Sequence, residues 1–305
     1  IRFKSMGNEE KKIRHHDVIK GNIDFPENDQ DIVIIKADGL PTYHFAHAVD
    51  DHLMRVTHVI RSDEWVSSIP LHLELFKTLG FKTPKYCHYA PILKDEDGKK
   101  RKISKRKDPE AAVSYYHEQG IPSQAVCEYL MNIGNSSFEL WRKANPDTDI
   151  SEFKFEINKM SGSGAVFDMV KLLDVSKNVI SKYSKERIFE EVSDWAKRYD
   201  EELAKLLENK EYSLKIFGIE RGNNKPRKDI AKWSDVKNSI IYMYDDVFFN
   251  DNISYDYAKI SDKEEISKII KLYIEKYFDI NDDKQTWFDK MKDLAEEVGY
   301  AREVK

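Results

Sequence analysis

Val56-Thr57-His58-Val59-Ile60-Arg61-Ser62-Asp63-Glu64-Trp65 is the stretch on which the fold turns. Its first half is β-branched and apolar, as a buried strand requires, and its second half is a polar turn at that strand's carboxyl end. Upstream, Ile32-Val33-Ile34-Ile35 is a short apolar run closed by Asp38-Gly39, read as a strand and turn. Pro41-Thr42 then opens a helix over Tyr43–Met54, with Phe45, Ala48, Val49 and Leu53 at helical spacing. Weaker strand signals lie near Val18-Ile19 and Ile23. Downstream, Ser68 is placed to cap a helix that carries Pro70 in its first turn, Leu71, Leu75, Phe76 and Leu79 on one face, and Gly80 past its end. A third strand is expected over Cys87–Leu93. Strand, helix, strand, helix, strand is the pattern of parallel βαβ units, which bind ligands beyond the carboxyl ends of their strands. Arg61 and Lys94 leave two such ends, and the basic run from Lys99 to Lys107 leaves the same edge.

That run follows the turn signal Asp97-Gly98 and contains Lys102-Ile103-Ser104-Lys105-Arg106. By composition alone it fits a solvated loop or a loose nucleic-acid patch. Set between a strand and a helical segment (Pro109–Glu118), two lysines and a hydroxyl also suit a mobile loop that closes over a polyphosphate and stabilises charge in a transition state. Beyond it the pattern is helical. Pro122-Ser123 starts a helix to about Ile133, and a polar insertion, Asn135–Asp149, has no evident role. Ser161-Gly162-Ser163-Gly164 reads as a flexible joint before the apolar Val166–Val175. Two helical stripes follow, both read as core. One is Ile188, Val192, Trp195, Tyr199, Leu203 and Leu206; the other is Ile266, Ile269, Ile270, Tyr273, Ile274 and Tyr277, opened by a capping box at Ser261 and Glu264.

The 305 residues suffice for more than one domain, and 40% hydrophobic with 34% charged residues fits a globular protein with large polar surfaces. A net charge of -5 confines any polyanion site to a local patch. Cys87 and Cys127, far apart and in no CxxC pattern, argue against structural zinc and a disulfide framework, and fit a reducing cytosol. No apolar run approaches the ~18 residues of a membrane span, so a cytoplasmic location without membrane contact is expected.

The order and spacing of four motifs resemble the bacterial glutamyl-tRNA synthetase family. They are Gly39-Leu40-Pro41-Thr42-Tyr43-His44-Phe45-Ala46, Val49-Asp50-Asp51-His52-Leu53-Met54, Thr57 to Trp65, and Lys102 to Arg106. The likeness is specific over roughly 30–175 and thinner beyond. It implies an α/β Rossmann-like half domain followed by a mostly α-helical stem-contact and anticodon-binding region. In that reading, 1–30 ends an insertion in the catalytic domain and 31–108 is its second half with the Lys-x-Ser-Lys loop. Residues 109–175 form the stem-contact domain, and 176–305 form part of the anticodon-binding region. The resemblance implies Tyr43 and Arg61 for glutamate, and Glu64, Ile92, Leu93, Lys102, Ser104 and Lys105 for ATP, with Lys105 catalytic. A guanidinium forking onto the glutamate carboxylate would reject glutamine. The implied partners are L-glutamate, ATP with Mg2+, and tRNA(Glu), which a monomer would bind; the implied reaction forms glutamyl-adenylate and then transfers it to the tRNA 3′ end. The basic set Arg221, Lys225, Arg227, Lys228 and Lys232 with Trp233 suits RNA backbone contacts or, equally, a solvated helix start.

The chain departs from the family pattern in lacking the His-x-Gly-His signature of class I synthetases and an initiator Met. It therefore reads as an internal fragment with half of an active site, inactive by itself. Three other readings compete. His44, His47 and Asp51 at i, i+3, i+7 could mark a metal-dependent phosphohydrolase. The chain could be a non-catalytic tRNA-binding fragment. Within the family, glutaminyl-tRNA synthetase is the nearest relative, and the Val59–Trp65 context of Arg61 favours the glutamyl branch.

Overall fold

The computed structural model describes residues 1–223, 225–249 and 262–302, which divide into two compact units, 1–244 and 245–305. The first unit starts with short antiparallel pairings. Strand β1 (Arg2–Phe3) pairs with β4 (Ile32–Val33), and β2 (Lys12–Asp17) forms a hairpin with β3 (Gly21–Pro26). The Val18-Ile19 signal thus falls in the hairpin turn rather than in a strand. Helix α1 (Tyr43–Leu53) follows, held at its start by the Thr42 hydroxyl, which donates to Val33 O at 2.8 Å. Then come β5 (His58–Ser62), a 3-10 segment (Asp63–Ser68), α2 (Ile69–Thr78) and β6 (Lys85–Tyr89).

β5, α2 and β6 make one parallel βαβ unit, with Arg61 in register with His88. The parallel strand expected at Ile32–Ile35 is not in this sheet. Its first two residues pair antiparallel with Arg2–Phe3, and Ile35 bridges to Pro41. An apolar run specifies burial, not a partner, and Ile32 and Ile34 find theirs against the small core of Ala48, Leu71, Leu75 and Phe76. Ser68 does not cap α2 with its side chain, although Pro70 occupies the first turn as expected.

The expected strand over Cys87–Leu93 breaks after Tyr89, and β7 (Leu93–Glu96) turns back as β8 (Lys99–Lys102). Asp97 and Gly98 both have positive φ (53° and 82°), as a two-residue hairpin turn of matching twist demands. Half of the basic run is therefore strand rather than loop.

Helices α3 (Val113–Gln119), α4 (Ser123–Gly134), α5 (Phe138–Ala144), α6 (Met169–Ile180), α7 (Lys185–Tyr199), α8 (Glu201–Leu206), α9 (Lys210–Gly218) and α10 (Val236–Ile240) complete the first unit. Their main core runs from Ile121, Ala125 and Tyr129 through Leu172, Ile180, Ile188, Val192 and Leu203 to Trp233 and Ile240. The first helical stripe is interrupted by Asp200, whose carboxylate caps α8. Tyr199 is left exposed, and Ala196 and Leu207 take buried positions instead. The segment Asn135–Asp149 is not a bare polar insertion. Phe138 is fully buried beside Trp141 and Phe153, and Arg142 reaches back to Glu128 at 2.8 Å. Gly164 lies where a Cβ would come within 2.7 Å of Pro91 O.

The second unit contains α11 (Asp245–Phe248), α12 (Lys263–Leu272) and α13 (Lys284–Glu297). Asp262 caps α12 by accepting from the Glu264 and Glu265 amides; Ser261, the expected cap, lies outside the described residues. Within α12 Ile266 is buried while Ile270 is exposed, and Ile274, in the π turn Tyr273–Tyr277 that follows, is exposed too. The second stripe is only partly core.

Candidate functional site

Arg61 is the one inward residue at the carboxyl end of β5, and the parallel register sets it opposite His88. Its Nε donates to His88 Nε2 at 2.9 Å, and Nη2 lies 3.2 Å from His72 Nδ1 and donates to Trp65 O at 3.4 Å. The guanidinium carbon is 4.9 Å from the Tyr86 ring centroid and 5.7 Å from that of Trp65. Nη1 is buried and has no hydrogen-bond partner among the described residues. A buried donor without an acceptor is costly, and sites that bind carboxylates supply such donors. Tyr43, at the head of α1, is half-exposed and lies over Trp65 at 4.5 Å. Thus Tyr43 and Arg61 come together through Trp65.

No carboxylate pairs directly with Arg61 among the described residues. Burial, with the neighbouring cation adding to it, pushes His47 down to about 4, and burial with the surrounding His47 and Arg61 charges pushes His72 to about 2. His44 and His88 are lowered too, by burial first and Arg61 next in the case of His44, and by burial against the Asp17 hydrogen bond in the case of His88. The imidazoles are neutral near pH 7, which leaves Arg61 as the charge of the cluster. At the far end, burial works to raise Asp17, but amide hydrogen bonds from Lys20, Ile19 and His88 and the His88 ring hold its carboxyl below the usual range.

This arrangement has a pH signature. Unfolded histidines take up protons near pH 6.5, whereas folded His47 and His72 do so only near 4 and 2. Below pH 6.5 the unfolded chain binds more protons, so stability is full above that pH and falls below it, by up to about 1.4 kcal/mol per pH unit for His72. The less enclosed His47 adds a smaller, solvent-screened share. Urea midpoints are expected to be flat from pH 8 to 7 and to drop steadily from 6.5 to 4.5; a flat profile over the lower interval would contradict the neutral cluster.

The histidines do not form the metal triad considered above. His44 Nδ1 faces His72 Nε2 at 2.9 Å, while His47 uses Nε2 on the Tyr86 hydroxyl at 3.0 Å and Nδ1 on Asp51 at 2.9 Å. Among the described residues no group of three or more His, Cys, Asp or Glu side chains is disposed to hold a metal ion.

The lysine segment is tied to the same strand end. Lys102 Nζ donates to Glu64 Oε2 at 2.9 Å, which links the end of β8 to the turn after Arg61. Lys105 is exposed and makes no ion pair with any described residue. With Ile92, Ile103, Tyr116 and Phe167 it lines an apolar cavity of about 510 Å3. Ser104 accepts from the Arg106 amide at 3.4 Å, and its own amide donates to Asp108 at 2.8 Å. Asp108, almost wholly enclosed, takes both Arg101 terminal nitrogens (2.6 and 2.7 Å) and Lys94 (3.2 Å), which holds its carboxyl well below the usual range through Arg101 above all. Leu93 N donates to Ala165 O, and Leu93 O accepts from Phe167 N. Sequence reasoning missed Asp17, His72, His88, Trp65 and Asp108. A histidine inside the apolar Tyr86-Cys87-His88 strand was the one available signal.

The basic set near residue 225 is dispersed. Arg221 donates to Ile180 O, Arg227 pairs with Asp229, Lys228 donates to Asn178, and Lys232 to Gln119. Lys225 is exposed, but Trp233 is a core residue, so its ring is not presented for stacking on a base.

A family model for tRNA synthetases class I (E and Q), catalytic domain, matches residues 1–174. A glutamate–tRNA ligase of Clostridium perfringens (strain 13) is 53% identical over 307 aligned residues, which cover 100% of this chain and 56% of that protein. One from Acetivibrio thermocellus is 51% identical, covering 100% and 55%. The chain spans about half the length of the curated relatives it matches. The crystal structure of a glutamate tRNA ligase from Elizabethkingia meningosepticum, in complex with its amino acid, has the same fold over 97% of this chain and 59% of that one, with a TM-score of 0.65 and 24% identity. No helix among the described residues is long and apolar enough to cross a membrane. With more than half of its length, residues 1–174, matched by the catalytic-domain model, the chain belongs to the class I tRNA synthetases of the E and Q group.

Proposed function

We propose that this chain carries the glutamate-reading and phosphate-stabilising half of a glutamate–tRNA ligase, which activates glutamate with ATP to glutamyl-adenylate and transfers it to the 3′ end of tRNA(Glu). One observation carries the reading: a buried guanidinium, held by neutral imidazoles, with Nη1 left without an acceptor among the described residues. A side-chain carboxylate satisfies that donor and the charge together, whereas a neutral amide satisfies neither fully. Tyr43 borders the same site and offers a phenol without adding charge.

ATP would lie along the β8 end. Glu64 suits the ribose hydroxyls, and its binding there would free Lys102 from the present ion pair. Ile92 and Leu93 suit adenine through an apolar face, with less from the Leu93 main chain, whose amide already has a partner. Lys105, exposed and in no ion pair with a described residue, is the group to meet the phosphates, with Mg2+ travelling on ATP as a charge clamp. The helices from 109 onward would contact the tRNA stem and, from 176, the anticodon arm, with Lys225, Arg227, Lys228, Lys232 and Arg221 as backbone contacts. A monomer in the cytoplasm fits this work.

Lys105→Ala provides the test. In an active preparation, ATP–pyrophosphate exchange at saturating glutamate is expected to fall about 100-fold or more, with the glutamate KM nearly unchanged. A rate within threefold of the parent would remove Lys105 from the chemistry.

A further inference from the structure

Arg61 can read a carboxylate only if some of its nitrogens are held while another stays open. A guanidinium has donors and no acceptors, so a ring nitrogen facing it must present a lone pair. His88 Nε2, 2.9 Å from Arg61 Nε, therefore carries no proton, and its Nδ1–H donates to Asp17 Oδ2 at 2.6 Å. His72 Nδ1, 3.2 Å from Nη2, is likewise bare, and its Nε2–H donates to His44 Nδ1 at 2.9 Å. Asp17, at the end of β2, is 71 positions from His88 in sequence, and neither is accessible to solvent. Its carboxylate is fully engaged: Oδ1 accepts from the amides of Ile19 (2.9 Å), Lys20 (2.9 Å) and His88 (3.2 Å), and Oδ2 also accepts from the His88 amide at 3.1 Å.

We infer that Asp17 is a positioning residue for glutamate selection: by fixing the His88 proton on Nδ1 it turns a lone pair to Arg61 Nε and leaves Nη1 for the ligand. The inference rests on Arg61 being the glutamate reader. Its physical content is the interposed imidazole. A carboxylate placed directly on Arg61 would neutralise the guanidinium and compete with the substrate, whereas a neutral ring between the two holds the geometry and spares the charge.

Asp17→Asn separates charge from shape. The three amides that meet Oδ1 claim the asparagine oxygen, so the NH2 group falls opposite His88 Nδ1. The imidazole proton then moves to Nε2, where it meets the Arg61 Nε–H. Imidazole and guanidinium 15N spectra of the 305-residue chain report this directly. The parent is expected to show His88 as the Nδ1–H tautomer with a slowly exchanging Arg61 Nε–H; Asp17→Asn is expected to show the Nε2–H tautomer and roughly tenfold faster Nε–H exchange. In an active preparation the variant raises the glutamate KM about 30-fold, with kcat and the ATP KM within threefold, and narrows the preference for glutamate over glutamine. An Nε2–H tautomer in the parent overturns the inference without any variant, so a variant that fails to fold leaves it decidable. If Asp17→Asn leaves the resonances and the glutamate KM unchanged while Arg61→Gln abolishes glutamate use, Asp17 has no positioning role and the Arg61 reading stands. If Arg61→Gln leaves glutamate use intact, the Arg61 reading itself falls.

Discussion

Arg61→Gln is expected to weaken glutamate binding by roughly 10²–10³-fold, which corresponds to removing one partner of a desolvated, charge-assisted pair. The size follows from the surroundings. Arg61 is only 9% exposed, its neighbours His72 and His88 are neutral acceptors, and no described carboxylate contacts it. The glutamate side chain would arrive in a site whose positive charge is uncompensated, and water could not replace the lost guanidinium. Glutamine should be affected much less, so the variant loses discrimination as well as affinity. Arg61→Lys tests geometry separately from charge. A lysine ammonium keeps the charge but lacks the planar fork that meets two imidazoles and a ligand at once, so an intermediate loss is expected. Direct titration with glutamate and with glutamine checks both, with circular dichroism confirming the fold. A loss under tenfold for Arg61→Gln would place the carboxylate site elsewhere.

Local signals were readable where a few neighbouring residues determine the outcome. Asp97-Gly98 specified its turn because only such pairs adopt two successive positive φ values cheaply, and α1 and α2 formed where their apolar spacing put them, although Leu53 of the α1 stripe is exposed. Arg61 at a strand end was legible for the same reason: alternation along β5 decides which face it takes. The partners of Arg61 were not legible. His88 comes from a neighbouring strand, His72 from the covering helix and Asp17 from a hairpin, and tertiary register alone brings them together. Ile32–Ile35 failed similarly, since its apolar run was correct about burial and silent about the strand it would join. Trp233 shows the opposite ambiguity. Beside Lys232 it looked like a surface aromatic, and it is buried in the helical core, with its backbone held against Gly120, 113 positions away.

That contact carries the second large effect. Gly120 ends α3 in the left-handed region (φ 72°, ψ 33°), and a Cβ built there would lie 2.6 Å from Trp233 Cβ and 2.9 Å from Trp233 N. Trp233 N also donates to Gly120 O at 2.8 Å, so the two chain segments cannot separate without losing a hydrogen bond. Gly120→Ala therefore combines left-handed strain, about 1–2 kcal/mol, with overpacking against backbone and a core side chain, about 1–3 kcal/mol more. A destabilisation near 3 kcal/mol is expected in urea unfolding. Gly98→Ala is the matched control: φ is 82°, but no atom of the described residues lies within 4 Å of the added methyl group. It should show the strain alone, about 1 kcal/mol. Equal losses in the two variants would mean that Trp233 yields freely, and the core position assigned to it would then be wrong. A large difference would locate the cost at the segment 232–234, where Lys232 and Ser234 also bond to Gln119. Faster amide exchange at Trp233 in Gly120→Ala, with β5 and β6 unchanged, would show that this anchoring is separate from the Arg61 cluster.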